Sequence, residues 1–335
     1  MTASTGSYSY DELNRESRIG GMGTEGTHQV ALIDLGEFET RKAEIADQLW
    51  QAATTLGLFQ LTGHGIPLAQ IEEAFALSEK FFAQPMEVKE TMPLRPGTNA
   101  GWEFKAQVRP STGTPDQKES YQITLPRMDG LWPAEAALPA FKDKMLAFER
   151  ANREVAMKVL SCFALKLGFA EDLFTRAHDP ASPEYQSTLR LIHYLPMENA
   201  KPEDFEGWRA GAHTDFDCLT LLHQKTGQGG LQVCPGYAAE DGAWTSVEPV
   251  TGIITCNIGD MLMRWSDDRL LSNPHRVRMP RPDEYLGPRY SIPFFAQANK
   301  DFVLRGPAGK YPPITAGDYI LERIKANYDA LKSTG

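Results

Sequence analysis

Apolar residues recur along this chain with two different periods, and the switch between them falls near Leu189. Before it the spacing is mostly helical. Ile45, Leu49 and Ala52 predict a helix from about Arg41 to Thr55 that Gly57 closes. Ile71, Ala74, Phe75, Leu77 and Phe81 predict a second helix, entered through the turn Gly63-His64-Gly65-Ile66-Pro67. Phe141, Met145, Phe148, Ala151, Val155, Val159 and Phe163 predict a long scaffold helix within Leu138 to Leu167. Short strands are expected at Val30 to Ile33 and Leu58 to Leu61. The segment Thr91 to Thr114 is rich in Gly and Pro yet keeps Trp102 and Phe104, the composition of a loop lying over a site. Residues 1–28, rich in Ser, Gly, Thr and charge, read as a mobile arm.

From Leu189 onward the apolar runs are short and bounded by turn residues. Strands are predicted at Leu189 to Tyr194, Leu219 to Gln224, Leu231 to Val233, Ile253 to Asn257, Met261 to Trp265, His275 to Arg278 and Arg289 to Phe295. Many short strands with Gly and Pro turns predict a sandwich, jelly roll or barrel. We expect a mainly β fold with helical additions around a double-stranded β-helix, or jelly-roll, core. Tyr319, Ile320, Ile324 and Tyr328 give Ala316 to Leu331 the pattern of a last amphipathic helix. The expected organisation is one compact domain: an arm over 1–28, a helical and strand region over 29–188 packing on the core, the jelly-roll core over 189–310, and a C-terminal helix within 311–335. No internal repeat is visible.

Composition narrows the partners. The 44 acidic against 34 basic side chains give a formal charge of -10, which disfavours a general affinity for nucleic acid and leaves no basic patch for an anionic membrane. No apolar run approaches the ~20 residues that span a bilayer. Cys162, Cys218, Cys234 and Cys256 lie in apolar surroundings without CxxC spacing, and no N-terminal signal sequence precedes them. Reduced core thiols in a cytoplasmic protein acting on a small molecule are expected; the oligomeric state is not readable.

The candidate chemistry sits in the strand-rich half. His213-Thr214-Asp215, followed by His275, offers two imidazoles and one carboxylate. Such a set on one face of an octahedral metal leaves the opposite face open, the arrangement that suits non-haem Fe(II) oxygen chemistry. In extended backbone residues two apart point the same way, so His213 and Asp215 can converge while Thr214 points elsewhere. The same parity places Arg289, Ser291, Pro293 and Phe295 on one face, expected to line the barrel. Arg289 offers a bidentate fork for a carboxylate and Ser291 a hydroxyl. His64, His193 and His223 read as structural, Gly259-Asp260 as a turn and Trp265 as packed.

Here a resemblance enters. Gly211-Ala212-His213-Thr214-Asp215, Gly229-Gly230-Leu231-Gln232-Val233, Asn257-Ile258-Gly259-Asp260-Met261-Leu262, Ser272-Asn273-Pro274-His275-Arg276-Val277 and Arg289-Tyr290-Ser291 occur in the order seen in 2-oxoglutarate/Fe(II)-dependent dioxygenases related to isopenicillin N synthase. Upstream, Gly57-Leu58-Phe59-Gln60 and Gly63-His64-Gly65-Ile66-Pro67 resemble that family's N-terminal region. The likeness spans most of residues 30 to 325. Within the family, Lys118-Glu119-Ser120-Tyr121 and Arg190-Leu191-Ile192-His193-Tyr194 look most like the branch with fungal thymine dioxygenase. The resemblance implies a jelly-roll core, Fe(II) on His213, Asp215 and His275, 2-oxoglutarate held through its distal carboxylate by Arg289 and Ser291, and O2 as oxidant. It further implies oxidation of a C–H bond by hydroxylation, desaturation or ring closure, with succinate and CO2 as co-products. One departure is Ile192, where plant members often carry an Asn that helps hold 2-oxoglutarate; Tyr194, on the same strand face, is the replacement candidate.

Phe295, Phe216 and Trp102 or Phe104 are the candidate substrate wall, since aromatic walls suit a planar or largely apolar small molecule. Three other functions stay open on the residues alone. An oxidase of the isopenicillin N synthase type would use Arg289 and Ser291 for its substrate's own carboxylate, without 2-oxoglutarate. A non-catalytic jelly-roll binding protein, or a zinc hydrolase on the same three side chains, would need no co-substrate.

Overall fold

The computed structural model describes residues 23–107, 115–198, 208–234 and 243–333, with side chains to residue 326 in the last stretch. Its strands in chain order are β1 (Thr24–Gly26), β2 (Ala31–Asp34), β3 (Leu58–Thr62), β4 (Gly101–Phe104), β5 (Lys118–Ile123), β6 (Thr188–Tyr194), β7 (Trp208–His213), β8 (Leu219–Gln224), β9 (Leu231–Val233), β10 (Ala243–Ser246), β11 (Ile254–Ile258), β12 (His275–Arg278), β13 (Arg289–Ala296), β14 (Val303–Leu304) and β15 (Ile314–Thr315). The helices are α1 (Phe38–Thr55), α2 (Leu68–Phe82), α3 (Met86–Lys89), α4 (Phe141–Leu167), α5 (Leu173–Ala177), α6 (Asp260–Trp265) and α7 (Ala316–Ser333). An eight-stranded sheet runs β2-β3-β11-β8-β13-β6-β5-β4 and a five-stranded sheet β1-β10-β9-β12-β7. Together they form the expected jelly roll.

Alternation along the large sheet separates core from cavity. On β13, Ile292 and Phe294 join the main apolar core, while Arg289, Ser291, Pro293 and Phe295 line an internal cavity. On β8, Leu219 and Leu221 face the core, and Thr220 and Leu222 the cavity. On β6, Leu189 and Leu191 oppose Thr188, Arg190, Ile192 and Tyr194 in the same way. The apolar faces of β8 and β13 pack on α4, which in turn packs on α1. Every second residue of these strands is therefore turned from the main core toward the cavity, where Ile192 and Tyr194 join a smaller apolar cluster.

Several expectations need revision. Met261 to Trp265 is not a strand but lies in α6, buried on all sides and entered through extended Gly259. A short apolar run carries no periodicity that distinguishes the two states. Thr24–Gly26, expected within the arm, pairs in parallel with β10, so order begins earlier than Val30; residues 1–22 of the arm lie outside the described residues. The 29–188 region does not merely pack on the core: β2, β3, β4 and β5 are strands of the large sheet itself. The Thr91 to Thr114 segment contains β4, and its residues 108–114 lie outside the described ones, as does the side chain of Tyr328.

Gly57 illustrates how the N-terminal region is locked to the second half. It follows α1 at φ +66°, and a Cβ there would sit 2.2 Å from the Leu271 carbonyl oxygen and 2.7 Å from Asn273 Nδ2. Asn273 Nδ2 donates to the Leu56 carbonyl, and the Gly57 carbonyl accepts the Ile258 amide at 3.0 Å. Gly57→Ala is expected to lower stability by roughly 1–3 kcal/mol through backbone strain and this clash. Equilibrium denaturation checks it; a loss below about 0.5 kcal/mol, the range of an unconstrained surface change, would contradict the tight approach.

Candidate active site

β7 ends at His213 and β12 begins at His275, and the two are register partners, with ring centroids 4.4 Å apart. The turn after β7 then brings Asp215 beside them, fixed by the Asp260 amide donating to the Asp215 carbonyl at 2.8 Å. One donor atom from each of the three side chains lies within 4.8 Å of the other two, a cluster able to hold a metal ion. His275 Nε2 is 3.7 Å from Asp215 Oδ2 and His213 Nε2 4.0 Å from Asp215 Oδ1. His213 Nδ1 lies 2.8 Å from the Gly211 carbonyl, which can only accept; Nδ1 therefore carries a proton, and Nε2 is the nitrogen beside Asp215.

Asp215 is set up as an anion. Its Oδ2 accepts Thr220 Oγ1 at 2.6 Å and Asn257 Nδ2 at 2.9 Å. Burial alone would raise its pKa, but the neighbouring His275 and His213 imidazoles and these two hydrogen bonds outweigh it and hold the carboxyl at about 2. The stabilisation of its charged form is present above the ordinary carboxylate range and is lost only as pH falls toward 2.

Arg289 occupies a distant part of the same cavity and is almost fully buried. Its Nε donates to the Gln228 and Gly229 carbonyls at 3.0 and 3.1 Å, one terminal nitrogen donates to Gln224 Oε1 at 3.0 Å, and its guanidinium centre lies 4.8 Å from the Tyr194 ring. The other terminal nitrogen, Nη1, is buried with no hydrogen-bond partner among the described residues. Burial pushes the Arg289 pKa down, a destabilisation that an incoming anion would relieve. Ser291 and Tyr194 line the cavity with it.

The cavity, about 270 Å³, also admits Phe295 and Phe216 to its wall, each with a guanidinium 4.8 Å from its ring, from Arg190 and Arg323 respectively. Trp102 and Phe104 are not among its lining residues. On β4 the inward position is Glu103, whose Oε1 accepts Ser120, Gln122 and Gln107. Trp102 and Phe104 fall on the opposite face, where Trp102 Nε1 donates to Glu119 Oε2 at 2.8 Å beside Lys89. That stretch contributes the polar Asn99 and Gln107 to the lining instead.

Sequence reasoning also left out Arg190, Lys118, Ile320 and Ile324, which line the cavity, and Thr220 and Asn257, which hold Asp215. Inward parity could have found Arg190, two residues before Ile192 on β6. The three histidines read as structural are so engaged: His64 with the Gly252 carbonyl, His193 with Glu119 and His223 with Asn152. Asp260 is more than a turn residue, since it starts α6 and pairs with buried Arg323.

A jelly roll whose cavity joins a two-histidine, one-carboxylate cluster to a buried, anion-seeking arginine is the architecture of an iron oxygenase with an acidic co-substrate. Comparison with known proteins agrees. Residues 185–298 match the 2OG-Fe(II) oxygenase superfamily and residues 30–135 the non-haem dioxygenase N-terminal region described for morphine synthesis. The 2-oxoglutarate-Fe(II) type oxidoreductase hxnY of Emericella nidulans is 33% identical over 312 residues, covering 86% of each chain. Proline hydroxylase buaE of Petromyces alliaceus is 32% identical over 288 residues, 81% of this chain and 86% of that one. The structure of the Neurospora crassa thymine hydroxylase in complex with alpha-KG and thymine superposes with a TM-score of 0.76 at 30% identity, covering 89% of this chain and 96% of that chain. The chain belongs to the 2OG-Fe(II) oxygenase superfamily, and it is a 2-oxoglutarate-dependent Fe(II) dioxygenase.

Asn257→Ala removes one of the two hydrogen bonds that aim Asp215. Iron affinity is expected to fall about 10–100-fold, the usual effect of losing a group that orients a metal ligand. Anaerobic Fe(II) titration reads it, and an affinity within twofold of wild type would contradict the orienting role.

Proposed function

We propose that His213, Asp215 and His275 hold Fe(II), that Arg289 with Ser291 and Tyr194 holds the distal carboxylate of 2-oxoglutarate, and that the enzyme oxidises a C–H bond of a small organic molecule seated against Phe295 and Phe216. The observation that carries this reading is the buried Arg289 Nη1, without a partner among the described residues, in the same cavity as the three donor atoms. When bound, the iron supplies O2 activation coupled to decarboxylation of 2-oxoglutarate to succinate and CO2. The protein's part is positioning. Gln224 and the Gln228 and Gly229 carbonyls fix the Arg289 fork, Thr220 and Asn257 fix Asp215, and the wall residues decide which C–H bond is presented.

The substrate end is aromatic but not apolar. Phe295 is stacked by Arg190, which donates to Gln122 Oε1 at 2.8 Å, and Lys118, Asn99 and Gln107 complete a polar rim. This favours a small molecule with a flat face and hydrogen-bonding edges, a reading supported by thymine in the Neurospora crassa thymine hydroxylase complex. We assign the reaction to the cytoplasm on the four cysteines, all buried and free. No helix among the described residues is long and apolar enough to cross a membrane.

Two variants test the two ends of the cavity. Arg289→Lys replaces a fork by a point charge, so the KM for 2-oxoglutarate should rise at least about tenfold while Fe(II) affinity holds. An unchanged KM would assign the carboxylate to another group. Phe295→Ala should weaken substrate binding and raise succinate formed per product, with 2-oxoglutarate dependence unchanged. Wild-type coupling in the folded variant would return Phe295 to a packing role.

A further inference from the structure

Asp260 and Arg323 form an ion pair at 2.6 Å in which both side chains are wholly buried. Such a pair is a weak source of stability, because desolvating two charges offsets their attraction, and apolar residues of similar size often serve as well. What distinguishes this one is the set of segments it joins. The Asp260 Oδ2 that accepts Arg323 also accepts Thr214 Oγ1 at 2.9 Å, and Oδ1 accepts Ser272 Oγ at 2.6 Å. Thr214 lies between His213 and Asp215, and the bond from its hydroxyl to Asp260 is a handle on that loop. Ser272 stands three residues before His275, and the Asp260 amide holds the Asp215 carbonyl. One carboxylate thus touches the segments of all three donor residues.

Arg323 extends the network to α7. Ile320 and Ile324, on the same side of that helix, line the cavity, and the Arg323 guanidinium lies over Phe216, another wall residue. We propose that the Asp260–Arg323 pair is a positioning latch that fixes the C-terminal helix as a cavity wall and, through the same carboxylate, the alignment of His213, Asp215 and His275. The inference rests on the reading that these three hold the iron. It assigns Asp260 and Arg323 no contact with substrate or metal. It couples two properties that would otherwise be independent, the docking of α7 and the geometry of the donor set.

The test uses the full chain with two variants. R323K keeps the charge but loses the planar fork and its stacking on Phe216; D260N/R323M removes both charges together and so leaves no unpaired ion in the core. Two readouts are taken: amide hydrogen exchange of α7 in the metal-free protein, and the visible charge-transfer band on anaerobic addition of Fe(II) and 2-oxoglutarate. The latch predicts at least tenfold faster exchange in α7 with β8 and β13 unchanged, together with a shifted or broadened band, the effect being smaller in R323K. Faster exchange with an unaltered band would overturn the coupling, and wild-type behaviour in both readouts from a folded D260N/R323M protein would overturn the latch entirely. Absence of the band in the wild-type protein would instead remove the iron-site reading itself, and the coupling with it.

Discussion

The strict two-sidedness of the large sheet is the constraint on which the site depends. Each central strand must give one face to the apolar core beneath the helices and the other to a cavity, and a shift of register by one residue would exchange them. Ile292 and Phe294 anchor β13 on the core side, and this is what turns Arg289, Ser291 and Phe295 inward as a set. The same holds for Leu219 and Leu221, whose burial turns Thr220 toward Asp215. Apolar packing outside the cavity therefore fixes the polar chemistry inside it.

The cavity is electrically polarised as a result. Asp215, held anionic, marks one part, and the buried guanidinium of Arg289 marks another part of the same inward surface. A cation and a dicarboxylate together match this pattern: the cation answers the anionic donor set, and the far carboxylate answers the arginine. Either partner alone would leave one buried charge uncompensated. Orienting groups, rather than additional charges, do the rest, with Asn257 and Thr220 on the carboxylate and Gln224 on the guanidinium.

Much of this was legible in the sequence because it depends on local spacing. Arg289 with Ser291 and Phe295 follow from a period of two within one strand, His213 and Asp215 from their spacing of two where β7 runs into its turn, and α4 from its apolar repeat. What depends on pairing between distant segments was not legible. Trp102 and Phe104 share a parity that local sequence reveals, but only the pairing of Glu103 with Ser120 decides that their face is the outer one. Arg190 is the exception: Leu189 and Leu191 claim the core side and turn it to the cavity, a local parity that its charge, usually assigned to solvent, conceals. The partnership of Asp260 with Arg323 spans two elements with no shared motif, and α6 has an apolar run too short to reveal its period.

The central claim is that one cavity holds a metal at His213, Asp215 and His275 and a carboxylate at Arg289. A crystal structure of the protein prepared anaerobically with Fe(II) and 2-oxoglutarate, with anomalous data collected at the iron edge, tests it directly. The account predicts one strong anomalous peak within coordination distance of His213 Nε2, His275 Nε2 and an Asp215 oxygen, with the distal carboxylate of 2-oxoglutarate on the Arg289 guanidinium. Iron bound away from these three side chains, or 2-oxoglutarate bound with Arg289 Nη1 still unpaired, would contradict it.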